Sequence, residues 1–353
     1  MARARAALDR RRIGAAMAAY RSALRHGIAL IDIAEEYWKC LMLAGRFAAA
    51  WTVSDAVLRR RAGLPESGLP YHVRQVWDGT PLAGRKVLLR CFHGLGDTLQ
   101  FIRFVPRLRR LAADLVVEAQ PELIGLLRSV PGIGRIVPLG AGDAEPHEVA
   151  IESMEVPHAL RLRLAELPGP VPYLWVEQRR GTALPRDGRR RVGLVWEAGG
   201  WDPRRSLPVS SFRPLAEMPG LALFRLQRGP ALGAFESGAS AAPRFDAGGT
   251  TSDDVVATAA AILQLDLVIT VDTAATHLAG ALGARVWTLL PFAADWRWLA
   301  AGRRSPWYPS MRLFRQERPG DWQAPLAELF RRLRSGEAWG RAPGIQRLRS
   351  RLR

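Results

Sequence analysis

Short apolar runs alternate with helical patterns through most of the chain. Leu265 to Val271 is a run rich in Val and Ile, which suits a strand that is buried on both faces. Ala274 to Leu282 favours helix, with Gly283 at the position of a C-terminal cap, and Arg285 to Leu290 is typical of a second buried strand. The pattern therefore predicts a strand, a loop, a helix and a second strand.

The same order occurs earlier in the chain. The strand predicted at Lys86–Arg90 leads into the loop CFHGLGD and then into a helical pattern that Pro106 should interrupt. Further strands are predicted at 115–118, 192–196 and 221–227, with helices between them. Such alternation favours two doubly wound parallel sheets, hence an α/β protein with two Rossmann-like lobes and a cleft between them.

The first sixty residues are predicted to be helical. A weak internal similarity between 14–24 and 45–58, with a period of 31–34 residues, resembles a degenerate tetratricopeptide repeat. We expect this cap to serve in packing rather than as a solenoid. The predicted domains are a cap (1–63), a linker (64–84), an N-terminal lobe (85–178), a hinge (179–190), a C-terminal lobe (191–330) and a basic tail (331–353).

The parallel units predict where chemistry takes place. Unpaired N–H groups and the positive end of the helix dipole lie at the carboxyl end of a strand, where anions bind in open α/β sheets. Asp272 and Thr273 lie at the start of the predicted helix, with His277 four residues after Thr273. The alternative is that Asp272 or Thr273 only caps the helix and that His277 is structural.

The charge of the chain changes this picture little. The formal net charge is +18, almost all of it from arginine, which suggests anionic partners. Because the arginines are scattered and no nucleic-acid motif occurs, we expect no nucleic-acid partner. The two cysteines lack metal-ligand spacing, and the sequence has neither an apolar run of membrane-spanning length nor a secretory signal. These features predict a cytoplasmic protein, with the inner membrane as a possible peripheral location.

Several motifs together resemble a known family. HGLGDTLQFIRFVP at 93–106, SLP at 206–208, the segment 265–283, PFAADWRW and SPWYPSMRLFRQ are similar to glycosyltransferase family 9, the ADP-heptose transferase relatives, and to its subgroup with tetratricopeptide-like N-terminal helices. The resemblance spans roughly residues 40–325. It implies a GT-B fold and inverting, metal-independent transfer from a nucleotide-diphosphate sugar bound mainly to the C-terminal lobe.

The residues allow this chemistry to be argued independently. Transfer needs a base for the acceptor hydroxyl, and Asp97 on the glycine loop with Gly94 and Gly96 can supply it. The helix start at Asp272, Thr273 and Ala274 offers N–H groups to the diphosphate. The remaining candidate donor-binding residues are His277, Arg205 and Gln227, of which Arg205 is suggested by the resemblance; Gln227 could equally be an ordinary polar residue.

Other chemistries find little support in the sequence. No Asp-x-Asp, Walker loop, complete GxGxxG or zinc-spaced Cys/His cluster occurs, so no metal or further cofactor is expected. The acceptor is predicted to be a glycan, a lipid-linked molecule or a protein, and residues 140–160 are expected to belong to its variable surface. The cap and basic tail could contact an anionic membrane or a protein. A binding protein without turnover and a nucleotide-sugar epimerase remain alternatives.

Four aromatic residues near the end of the C-terminal lobe could stack on a base or a sugar. Large aromatics near the end of a chain more often close a core, and we expect that here. They are Trp296, Trp298, Trp307 and Tyr308.

Overall fold

The computed structural model describes residues 1–62, 76–200, 202–228, 245–246 and 254–339. The predicted hinge (179–190) and residues 76–84 of the predicted linker lie within these ranges, whereas 63–75 and the basic tail beyond 339 lie outside the described residues.

Four helices form the N-terminal cap. They are α1 (Ala2–Asp9), α2 (Ile13–Arg25), α3 (Ala34–Leu43) and α4 (Phe47–Arg61). Their apolar faces bury Met17, Tyr20, Leu41 and Trp51 in the same core that continues into the first lobe. The cap is thus packed onto the lobes, as the sequence predicts; a tetratricopeptide-like character stays a prediction.

The first lobe contains a four-stranded parallel sheet in the order β3-β2-β1-β4. The glycine loop, residues 92–97, follows the inner strand β1, and its last three residues form the first turn of α5. The elements are β1 (Lys86–Cys91), α5 (Leu95–Phe101), α6 (Val105–Leu111), β2 (Asp114–Ala119), α7 (Pro121–Leu127), β3 (Arg135–Pro138), β4 (Val149–Glu152) and α8 (Val156–Ala159). Pro106 lies in the first turn of α6, after a 3-10 turn that ends α5, so the predicted interruption is present.

The second lobe contains a five-stranded parallel sheet in the order β6-β5-β7-β8-β9. Strands β7 and β8 are buried at every position, which explains their continuous apolar sequences. The elements are β5 (Arg190–Val195), α9 (Arg213–Ala216), β6 (Leu221–Arg225), α10 (Val255–Ile262), β7 (Leu267–Val271), α11 (Ala274–Ala281), β8 (Val286–Leu290), β9 (Met311–Arg315) and α12 (Gln323–Arg334).

These two parallel sheets with helices, preceded by a helical cap, confirm the predicted fold class of two Rossmann-like lobes. In each sheet the strand order reverses beside the first strand of the lobe, and ligands of doubly wound proteins bind at the carboxyl side of such a switch point. Gly283 has φ +72, as a helix end in the left-handed region requires.

Three parts of the prediction differ from the fold. Residues 140–160, expected to be surface loops, include β4, which pairs with β1 through buried Val149 and Ile151. Strand β9 was not expected, because its alternating sequence MRLFR is short. Helix α12 continues past residue 330 to Arg334, since Leu329 and Leu333 are both buried on its inner face.

Candidate functional site

The starts of α5 and α11 touch each other across the two lobes. A Cβ atom added to Gly96 would lie 3.0 Å from Cδ2 of His277 and 3.4 Å from Cα of Ala274. A larger residue at position 96 would require His277 or Ala274 to move by a few tenths of an ångström, so the glycine permits the close approach. The two loops that the sequence singles out therefore meet at the carboxyl ends of both sheets.

Asp97 lies at this contact. Its Oδ2 accepts a hydrogen bond from the backbone N–H of Gly94 at 3.0 Å, and its Oδ1 accepts one from Nη2 of Arg297 in the other lobe. The carboxylate thus forms an ion pair between the two lobes while a quarter of its side chain stays exposed. An acidic side chain in the first turn of α5 also suits the positive end of the helix dipole.

Arg297 is the principal residue that the sequence analysis missed. It lies in the Arg297 loop, residues 291–300, which follows β8, and its buried guanidinium also bonds Asp295 through Nη1 at 2.9 Å. Burial opposes the charge, but Asp295 and Asp97 outweigh it and raise the pKa of Arg297. A signal was present: a single arginine between two tryptophans, in the loop that follows a buried strand.

The start of α11 is partly occupied by its own cap. Oγ1 of Thr273 accepts from the N–H of Ala275 at 3.2 Å, and the carbonyl of Thr273 accepts from the N–H of Thr276 at 3.0 Å. Thr273 and Ala274 are nevertheless partly exposed. Backbone N–H groups and the helix dipole are thus present where the sequence analysis expects an anion.

Asp272 precedes this helix start and is buried, with 5% of its surface exposed. Burial and the negative charge of Asp295 raise the pKa of Asp272 to about 6. Its backbone carbonyl accepts a hydrogen bond from Nη1 of Arg205 at 3.1 Å, while Nε of Arg205 is buried without a hydrogen-bond partner. Arg205 is therefore anchored at one nitrogen beside the start of α11.

His277 and Gln227 contact other parts of the protein. Nδ1 of His277 lies 3.0 Å from the hydroxyl of Tyr308, and its ring stacks on Trp298. Burial lowers the pKa of His277 well below its ordinary value, and nearby arginine charges lower it further, so the ring is neutral at neutral pH. Gln227 accepts from two backbone N–H groups after β5 and donates to two carbonyls, which joins the loops after β5 and β6.

The four late aromatics pack as expected, since each is at most 8% exposed. They surround His277 and the Arg297 loop, and Nε1 of Trp307 donates to the carbonyl of Arg297 at 2.7 Å. Their position behind Arg297 supports the loop rather than offering a surface to a ligand.

A second carboxyl group lies buried in the first lobe. Glu152 ends β4, and its Oε2 lies 3.6 Å from Nε2 of His93, which begins the glycine loop together with Phe92. Burial raises the pKa of Glu152 to about 8, so it holds a proton at neutral pH. The sequence analysis did not name Glu152 or His93 as site residues.

Among the described ranges, no group of three or more His, Cys, Asp or Glu could hold a metal ion. None of the helices in those ranges has the length and apolarity that crossing a membrane requires.

Comparison with known proteins gives distant similarities. No family model matches the sequence. The chain is 26% identical to Protein FlbA of Caulobacter vibrioides over 377 aligned positions, which include 94% of this chain and 60% of FlbA. The chain thus spans less than two thirds of the length of that curated relative.

Two solved structures similar to this chain are of proteins described as glycosyltransferases. One is the ADP-heptose LPS heptosyltransferase II of E. coli, with a TM-score of 0.47 and 16% identity, covering 71% of this chain and 99% of that one. The other is the glycosyl transferase family 9 protein of Veillonella parvula, with a TM-score of 0.45 and 12% identity, covering 74% and 90%. At this level of similarity, function must be argued from the residues of the chain itself.

Proposed function

We propose that the protein is a glycosyltransferase that moves a sugar from a nucleotide-diphosphate donor, of the ADP-heptose kind, to a hydroxyl acceptor. The observation that supports this most is the meeting of Asp97 from one lobe with Arg297 and the start of α11 from the other. Such transfer needs a carboxylate base and a cationic, N–H-rich place for the leaving diphosphate, and these features lie next to each other where the two lobes meet.

In the proposed reaction, Asp97 accepts the proton of the acceptor hydroxyl. The hydroxyl oxygen forms a bond to the anomeric carbon, and the bond from that carbon to the diphosphate oxygen breaks with its electron pair. A carboxylate has about four acceptor positions, so the bonds from Gly94 and Arg297 leave Asp97 room for the acceptor. Attack opposite the leaving group gives inversion at that carbon.

The leaving diphosphate is assigned to the second lobe. Arg205 lies beside the start of α11, and its unbonded Nε can point to a phosphate oxygen. Together with Arg297 it would neutralise the developing charge, so transfer without a metal ion is part of the proposal. His277 is neutral and bonded to Tyr308, so it would shape the helix start rather than add charge. A direct contact of His277, Gln227 or Ala274 with the diphosphate stays a prediction.

A donor panel tests this proposal. The full chain is mixed with ADP-, GDP- and UDP-linked sugars, and a thermal shift together with acceptor-dependent release of the nucleotide diphosphate is expected for one of them. Release should continue in EDTA, and NMR of the product should show an inverted anomeric carbon. No binding of any donor would contradict the proposal, and conversion of donor alone into a second nucleotide sugar would indicate an epimerase.

A protein that binds without turnover is the second candidate. It is favoured by the direct contact between α5 and α11 and by the protein partners that occupy His277 and Gln227. Donor binding without release toward glycan, lipid-linked or protein acceptors would support it.

The predictions of a cytoplasmic location and of anionic-membrane or protein contact through the cap and the basic tail remain open to experiment. Co-sedimentation with vesicles that contain anionic lipid checks membrane contact. Residues 340–353 of that tail lie outside the described residues.

A further inference from the structure

The Arg297 loop is held from outside its own lobe. The guanidinium of Arg11, at the turn between α1 and α2 of the cap, donates hydrogen bonds to three carbonyls of this loop. They belong to Ala294 at 3.3 Å, Leu299 at 3.4 Å and Ala300 at 3.3 Å, on both sides of Arg297. One cap side chain thus joins the two ends of the segment that carries Arg297.

Further cap contacts reach the same loop. The N–H of Ala300 donates to the carbonyl of Leu43 at 2.8 Å, and the ring of Trp38 meets Trp296 edge to face with centroids 5.6 Å apart. Phe47 stacks near Trp307, whose indole bonds the Arg297 carbonyl. Backbone, aromatic and charged contacts of the cap therefore converge around Arg297.

The backbone at this contact adopts an unfavourable conformation on both sides. Leu299 has φ +59 and Arg11 has φ +53, in the left-handed region that non-glycine residues seldom adopt. Such residues persist only where their surroundings hold them. Arg315 of the second lobe also donates to the Leu299 carbonyl, at 3.2 Å, but the carbonyls of Ala294 and Ala300 have Arg11 as their described side-chain donor.

The other side of the cap is fixed to the first lobe. Asp55 of α4 accepts from both guanidinium nitrogens of Arg161 at 2.8 and 2.9 Å and lies 2.8 Å from Nε2 of His158. The indole of Trp51 donates to the carbonyl of Leu162 at 2.7 Å. The cap therefore bridges the lobe that carries Asp97 and the loop that carries Arg297.

We propose that Arg11 is a positioning residue, through which the cap fixes the Arg297 loop so that Arg297 meets Asp97 across the cleft. Without Arg11, the carbonyls of Ala294 and Ala300 lose their side-chain donor, and the carbonyl of Leu299 keeps only the bond from Arg315. Arg297 would then visit positions in which Asp97 is unpaired. The catalytic part of this inference rests on the proposed transferase function, but the structural part does not.

Hydrogen exchange of the full chain tests the structural part. Arg11→Ala should speed exchange of the amides of residues 294–300 roughly tenfold or more, because hydrogen bonds to a charged group are lost from a partly buried loop. Arg10→Ala, which removes a neighbouring exposed arginine, is the matched control and should leave the loop unchanged. Exchange in Arg11→Ala equal to the wild type would overturn the inference. If Arg11→Ala does not fold, Arg11→Lys takes its place, and its loop amides should exchange faster than those of the wild type. Exchange in Arg11→Lys equal to that of the wild type would also overturn the inference.

A double-mutant cycle tests the catalytic part. Arg11→Ala should lower turnover roughly tenfold in the wild type but cause no further loss once Arg297 is replaced by Ala, since both changes remove the same interaction. Equal losses in both backgrounds would show that Arg11 acts only on overall stability. Absence of turnover in the wild type would contradict the proposed function, and the exchange experiment would still decide the role of Arg11.

Discussion

The starts of α5 and α11 have the same order of strand, loop and helix, yet they present different chemistry. The start of α5 carries Asp97, a partly exposed side chain whose partner Arg297 belongs to the other lobe. The start of α11 carries Thr273, which turns inward to cap its own helix, and the buried Asp272. The start of α5 thus offers a carboxylate side chain, whereas the start of α11 offers mainly backbone N–H groups beside Arg205 and Arg297.

This difference separates two tasks. A base must reach a hydroxyl and therefore needs an exposed carboxylate, whereas an anion can be held by N–H groups and fixed cations. Since the two starts touch at Gly96, the tasks come together only while the lobes keep this arrangement. The predictions below alter one side of the comparison at a time.

Replacing Arg297 should have the largest effect. Arg297→Ala leaves Asp97 and Asp295 without their shared cation, and we expect the free energy of unfolding to fall by about 2 kcal/mol. The loss is smaller than for a fully buried ion pair because both carboxylates are partly exposed to solvent. Turnover should fall roughly a hundredfold. Arg303→Ala is the control: it breaks an exposed pair with Glu328 and should cost at most about 0.5 kcal/mol. Chemical denaturation and nucleotide release measure both, and equal stability losses in the two variants would contradict the account.

The two buried carboxyl groups should respond to pH over different ranges. In the folded state the pKa of Asp272 is about 6 against an ordinary 3.8, and that of Glu152 about 8 against 4.5. Each folded pKa is raised, so the folded state binds the proton more tightly and the stability of the wild type falls as pH rises through these ranges.

Neutral replacements should remove that loss. Compared with the wild type, Asp272→Asn should gain stability between pH 4 and 6, by on the order of 2–3 kcal/mol, and Glu152→Gln should continue to gain up to about pH 8 and by more, because the pKa of Glu152 is raised further. Denaturant titrations at pH 4, 6 and 8 measure the differences. A constant difference across pH in either variant would show that its carboxyl group titrates normally.

The contact between the helix starts can be probed with alanine. Gly96→Ala should destabilise the fold by roughly 1–2 kcal/mol, because its Cβ presses on His277, which Trp298 and Tyr308 hold in place. Gly14→Ala in α2 adds a Cβ that meets nothing within 4 Å and should stabilise by about 0.5–1 kcal/mol through helix propensity. Thermal unfolding should therefore shift in opposite directions for the two variants, and equal signs would show that the contact is loose.

The cap of α11 should give the smallest change. Thr273→Ala removes the oxygen that accepts from the N–H of Ala275, at a cost of about 1 kcal/mol, whereas Thr273→Ser retains it. Denaturant unfolding distinguishes the two. If Thr273→Ala instead weakens donor binding with stability unchanged, Thr273 contacts the diphosphate directly rather than capping the helix.

The elements that the sequence predicts best are those whose pattern is decided locally. Local sequence alone predicts the buried strand β7, the helix α11 and the helix end at Gly283. Strand β4 was missed because its burial depends on pairing with β1, sixty residues earlier, and not on a long apolar run.

The candidate site was predictable only in part, for the same reason. Asp97 follows from a glycine loop after a strand, but its partner Arg297 lies two hundred residues away between tryptophans that suggest only a core. The spacing from Thr273 indicates His277, and the end of a predicted strand indicates Gln227, but their partners, Tyr308 and the loop after β5, are determined by the tertiary fold. Which polar side chain remains available to a ligand is a property of the tertiary contacts.

The central claim is that Asp97 acts as the base at a site whose anion-binding side lies in the other lobe. Calorimetric titration of the nucleotide diphosphate and steady-state turnover of Asp97→Asn test it together. The account predicts a dissociation constant within a few-fold of the wild type and turnover reduced at least about a hundredfold. Turnover equal to that of the wild type would contradict it.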